Sequence, residues 1–184
     1  MADIGYSLQA TFLDIDNDND LDMYLSNRPE LFYLTNEEVA AGEARNDDLS
    51  RDKLYLNEND KFREIGLSAG ITNNYGYGLG VTAADVNKDG FVDIYVTNDY
   101  SQLDYFYLNQ GDGRFKESIK KTTKHTSFYS MGVDIMDINN DGWEDILTLD
   151  MMPEDYVRSK TKMASMDVPA YMELLDRGYH YQYM

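Results

Sequence analysis

Asp14, Asp16 and Asp18 alternate along the chain, and Asp22 follows four residues after Asp18. Asp85, Asn87, Asp89 and Asp93 repeat that spacing, and so do Asp137, Asn139, Asp141 and Asp145. Alternate residues of a tight loop can turn their side-chain oxygens towards one point. A hard cation needs that arrangement: calcium takes six to eight oxygens at about 2.3–2.6 Å. The sixth position is Gly90 or Gly142, which permits the turn, and Asn19 in the first loop, which tolerates a left-handed backbone. The next residue, Asp20, Phe91 or Trp143, is the natural donor of a backbone carbonyl. The spacing therefore predicts three calcium loops, about one ion in each.

Competing readings of the loops are set aside by residue type. An EF-hand needs a bidentate Glu at its twelfth position, where this chain has Leu25, Val96 and Thr148. Dockerin-like and thrombospondin-like repeats want an acid or Cys further on, which is also missing. Magnesium prefers water-rich sites with few protein ligands. An acidic turn without metal is the plain alternative, and matched strand contexts around all three loops weigh against it. Several carboxylates held together repel when the site is empty, so an ion here contributes to folding. The expected role of the ions is structural.

The loops are set in an internal repeat. Residues 8–27, 79–98 and 131–150 align on their acids, with first ligands at Asp14, Asp85 and Asp137. Val81 and Ala83, then Ile94 and Val96, show the period-2 pattern of half-buried strands. DKLYLNENDKFREI (52–65) matches DYFYLNQGDGRFKES (104–118), a strand, a polar turn and a strand. One unit thus reads as strands 80–84, 93–97, 104–108 and 114–118, the plan of a propeller blade. An antiparallel sandwich is the alternative. The expected fold is all-β: blade 1 over about 5–65 with an insertion at 28–51, blade 2 over about 75–118, and a partial blade 3 over about 128–184. Within the first insertion, Thr35 and Glu38 form a capping box that starts a helix over Asn36–Arg45. In the last unit, Pro169 and Gly178 bracket a helix over Ala170–Arg177, inside a helical insertion at 151–178.

Composition narrows the functional classes. The chain has 34 Asp plus Glu against 16 Lys plus Arg, a net charge of -18. That field repels nucleic acid. Twelve of the acids, Glu144 among them, fall in the three loops. Aromatics at 13% and hydrophobics at 42% argue against disorder. There is no Cys, hence no disulfide or thiolate site, and no apolar run long enough to span a membrane. The opening MADIGYSLQATFLD lacks a basic and then apolar leader. These features fit either a cytoplasmic chain or an internal fragment of an exported one.

The blocks GVTAADVNKDGFVDIYVTND and LNQGDGRF resemble the FG-GAP or VCBS repeat, the calcium-binding blade of integrin-alpha-like propellers. The wider text resembles secreted bacterial proteins of the cartilage-acidic-protein and UnbV type. The stretch from LDMMPED to GYHYQYM is similar to an insertion of some members. The resemblance implies a closed propeller, export to the periplasm, cell surface or medium, and binding of a protein or glycan. This chain holds only two blades and part of a third. A second copy, or further blades of a parent chain, is expected on the end faces, one near Phe12 and Leu13 and the other near Ile146 and the Tyr-rich tail.

No catalytic constellation stands out. His125 and His180 read as ordinary surface or strand residues, and the loops absorb the clustered acids, leaving no free glycosidase pair. Tyr171, Tyr179, Tyr181 and Tyr183 could stack on a sugar, but packing on a neighbouring blade is the simpler role. The expectation is a non-enzymatic calcium-stabilised binding module. An appendage of a secreted polysaccharide-processing or uptake system, or a lyase or hydrolase on the propeller face, are the alternatives.

Overall fold

Each acidic loop closes an antiparallel hairpin, and the three hairpins frame the molecule. The computed structural model describes residues 3–30, 35–45, 47–72, 75–100, 102–151, 157, 168–178, 180 and 182–183. β1 (Ser7–Leu13) pairs with β2 (Asp22–Asn27), and β3 (Lys53–Asn57) and β4 (Phe62–Glu64) complete a sheet in the order β1-β2-β3-β4. β5 (Tyr77–Ala84), β6 (Asp93–Asp99), β7 (Tyr105–Asn109) and β8 (Phe115–Glu117) repeat it. β9 is the pair Thr126–Ser127, and β10 (Ser130–Met136) and β11 (Asp145–Asp150) form the third hairpin. α1 spans Asn36–Arg45, α2 Ile119–Thr122 and α3 Val168–Asp176; β12 (Gln182–Tyr183) runs parallel to β9.

Equivalent residues close each hairpin: Leu13 faces Asp22, Ala84 faces Asp93, and Met136 faces Asp145. The register also slips at the same place in all three, between Ser7 and Gln9, Gly78 and Gly80, and Ser130 and Gly132. A bulge so placed bends and twists the first strand. It also carries β5 back to Tyr77, three residues before the expected start at 80, because residues beyond the slip still pair with β6.

Side-chain alternation sorts the strands into interfaces. Ile94 and Val96 of β6 are fully buried against the first sheet, in a core with Leu13, Ile15, Tyr24, Leu54 and Tyr107. Tyr95, between them, faces the other way and packs with Phe106, Ile119, Val133, Ile135 and Ile146. The first strands of successive units lie side by side, β5 against both β1 and β10. The expected all-β stack of four-stranded antiparallel blades is therefore present. Each four-stranded sheet is a contiguous meander, not the shared Greek key of a sandwich.

The seam between the second and third blades is narrow. A Cβ on Gly80 would stand 2.7 Å from Thr97 Oγ1 and 3.0 Å from the Gly132 Cα. α1 begins at its capping box: Thr35 N donates to Glu38 Oε2 at 2.8 Å, and Glu38 N to Thr35 Oγ1 at 3.3 Å. α3 starts two residues before the expected Ala170 and ends at Asp176, with Gly178 at φ 83 just beyond.

The end faces differ from expectation. Phe12 is 56% exposed, but Leu13 is buried, because neighbouring strand residues point to opposite sides. Ile146 is inside the seam with blade 2, and Met136, Leu147 and Leu149 carry the exposed face instead. Tyr179, Tyr181, the side chains of Tyr171 and Tyr183, and most of the insertion at 151–178 lie outside the described residues.

Candidate metal centres

Each loop is built by its own acids. The first acid accepts two backbone N–H groups: Asp14 from Asp18 and Asn19, Asp85 from Asp89 and Gly90, Asp137 from Asp141 and Gly142, at 2.8–3.2 Å. The fifth accepts from the seventh: Asp18 from Asp20, Asp89 from Phe91, Asp141 from Trp143. In the second and third loops the Asn at position three also accepts, Asn87 from Asp89 and Asn139 from Asp141. Two residues per loop have positive φ. The sixth, Asn19 (70), Gly90 (90) and Gly142 (83), matches the sequence reading. The fourth, Asn17 (62), Lys88 (61) and Asn140 (59), carries no glycine and was not foreseen.

The ninth residue sits at the foot of the loop. Asp22 and Asp93 are fully buried. Asp22 accepts from Ile15 N at 2.9 Å and, through its other oxygen, from Asn57 N at 2.8 Å. Asp93 accepts in the same way from Val86 N and Asn109 N. Asp145 accepts from Ile138 N. In the first two loops the ninth acid thus clamps the loop to the third strand, and each oxygen keeps a second lone pair. Burial raises the carboxyl pKa of Asp22 and Asp93 above the ordinary value.

Among the described acids and histidines, Asp14, Asp16 and Asp18 alone form a trio with oxygens within 4.8 Å of one another. In the other loops the middle place belongs to Asn87 or Asn139, so the oxygen there is a neutral amide. Asp16 is raised by burial and then by the Asp18 charge. Asp20 is raised by burial and then by Asp18, Asp16 and Asp14. Its Oδ1 is buried without a hydrogen-bond partner. The sequence reading used only the Asp20 carbonyl; the side chain adds an acid where the other loops have Phe91 and Trp143. Trp143 is 55% exposed, and Phe91 is half-buried with its ring edge close to Gly111. The donor set is all oxygen and mostly anionic, which suits calcium.

A second set of buried acids lies away from the loops. Asp52 accepts from Tyr24 Oη and Asn27 N, both at 2.8 Å. Asp104 repeats this with Tyr95 Oη at 3.0 Å and Asn98 N at 2.9 Å, and also accepts from Ser130 Oγ of the third blade at 3.1 Å. Burial pushes Asp104 up to about 7. The signal was present in the sequence as the repeated Asp that opens DKLYLN and DYFYLN. Both carboxylates pin the third strand to the end of the second. His180 Nε2 lies 3.2 Å from Thr123 Oγ1, and burial lowers its pKa. His125 is exposed.

The family described as FG-GAP-like repeat matches the chain twice, over residues 27–96 and 86–148. No curated protein matches it. No described helix is long and apolar enough to cross a membrane.

Proposed function

The chain belongs to the FG-GAP-like repeat family, and we propose from this that it is a calcium-stabilised extracellular binding module for a protein or glycan. The observation that carries the calcium assignment is the convergence of Asp14, Asp16 and Asp18, with the unpartnered Asp20 oxygen beside them. Asp22 closes the first loop. Asp85, Asn87, Asp89, Asp93 and the Phe91 carbonyl would hold a second ion, and Asp137, Asn139, Asp141, Asp145 and the Trp143 carbonyl a third. Bound calcium supplies positive charge that relieves carboxylate repulsion, and it acts through the loop as folding energy. Calorimetric titration of chelated protein should give about three sites, and Asp89→Ala should leave two. No heat with calcium, and an unchanged melt on chelation, would end this reading.

Location outside the cytoplasm, where calcium is abundant, goes with such loops. Export of the natural protein into the periplasm or medium tests this; retention in the cytosol contradicts it. The module is proposed to be non-catalytic: each Asp104 oxygen already accepts from protein donors. Its exposed end faces, with Leu8 and Phe12 on β1 and Met136, Leu147 and Leu149 on the third hairpin, suit further blades or a second copy. Sedimentation at micromolar concentration distinguishes an assembly from a 21.2 kDa monomer. A glycan array and a pull-down with the natural protein would identify the ligand class.

A further inference from the structure

The fourth residue of the acidic loop is not one of its ligands, yet in the first two loops it reaches the loop of the next blade. Asn17 donates its amide to the Gly90 carbonyl at 3.0 Å. The Lys88 ammonium lies 4.5 Å from the centre of the Trp143 ring, and 3.7 Å from where a Cβ on Gly142 would be. The landing points are equivalent, at positions six and seven of the receiving loop. Both bridging residues are held at positive φ, 62 and 61. Lysine adopts that conformation only where the surrounding structure imposes it, so the loop must impose it. Each bridging residue also stands between two ligands: Asn17 between Asp16 and Asp18, Lys88 between Asn87 and Asp89. Fixing the ligands fixes the bridge.

We propose that Asn17 and Lys88 couple neighbouring calcium loops, so that an ion in one loop raises the affinity of the next. The argument rests on the calcium reading above. A bound ion orders the ligands on both sides of the bridging residue, and the ordered bridge holds the receiving loop in its closed form. The entropy of closing that loop is then already lost when its own ion arrives. Between the first two loops a second tie acts in parallel. Asn109 N is bonded to Asp93, and its side chain to the carbonyl of Ile15, which follows Asp14.

Trp143 is the single tryptophan of the chain and belongs to the third loop, so its fluorescence reports occupancy there. Calcium titration of the intact chain, followed by this signal, should shift to weaker binding by about fivefold or more when Asp89→Ala disables the second loop. In a Lys88→Gly background, where glycine accepts the positive φ, the same Asp89→Ala change should shift the midpoint by less than twofold. A calcium-free melt of Lys88→Gly checks that the fold is intact. An equal shift in both backgrounds, or no shift in either, overturns the coupling while three calorimetric sites leave the calcium reading standing. Absence of calcium binding in the unsubstituted chain overturns both.

Discussion

The side-chain amide of Asn109 donates to the Ile15 carbonyl at 2.9 Å, joining the end of β7 to the foot of the acidic loop in the preceding blade. Asn109 is 2% exposed, and its backbone N–H is committed to Asp93. Truncation would leave a buried carbonyl without this partner. Asn109→Ala should therefore cost about 1–3 kcal/mol, read from urea unfolding. A loss within error would mean that water replaces the amide.

Asp20 should behave in opposite ways with and without calcium. Its carboxyl is raised by burial and by Asp18, Asp16 and Asp14. Asp20→Asn removes a like charge from the empty loop and should raise the melting temperature in chelator. In calcium the same change should weaken the first site by about tenfold, through the lower ligand charge. Equal melting shifts in both conditions would show that Asp20 has no part in the site.

The buried Asp104 sets a pH dependence. Its carboxyl titrates at about 7 when folded, against an ordinary 3.8. Between those values the folded chain keeps a proton that the unfolded chain has released. Stability should fall as pH rises from about 4 to about 7, and this contribution should then level off. Asp104→Asn should flatten that slope relative to the unsubstituted chain at the same calcium concentration. Parallel pH profiles would contradict the buried, protonated carboxyl.

Two glycines facing one seam should differ sharply. A Cβ on Gly80 meets Thr97 Oγ1 at 2.7 Å and the Gly132 backbone at 3.0 Å, whereas one on Gly132 meets nothing within 4 Å. Gly80→Ala should cost about 1–3 kcal/mol by forcing the second and third blades apart. Gly132→Ala should stay within about 0.5 kcal/mol. Similar costs at both positions would place the seam elsewhere.

What the chain reveals unaided is what short-range interactions decide. The loop acids, the sixth-position glycines and the Thr35–Glu38 box act over nine residues or fewer, so their spacing alone places the turns and α1. Period-2 runs such as Val81–Ala83 and Ile94–Val96 locate strands, and repetition groups them into blades.

Tertiary structure decided what depends on distant partners. Asp52 and Asp104 read only as polar strand starts until Tyr24 and Tyr95, 28 and 9 residues away, are seen to donate to them in the core. Leu13 and Phe12 are equally apolar in sequence, and the packing of the second blade buries one and leaves the other in solvent. Asn17 and Lys88 look like filler between ligands. Their role appears only when the blades stack, since Gly90 lies 73 residues from Asn17. Bonds that close over such separations are set by how sheets pack, and local propensity carries no trace of them.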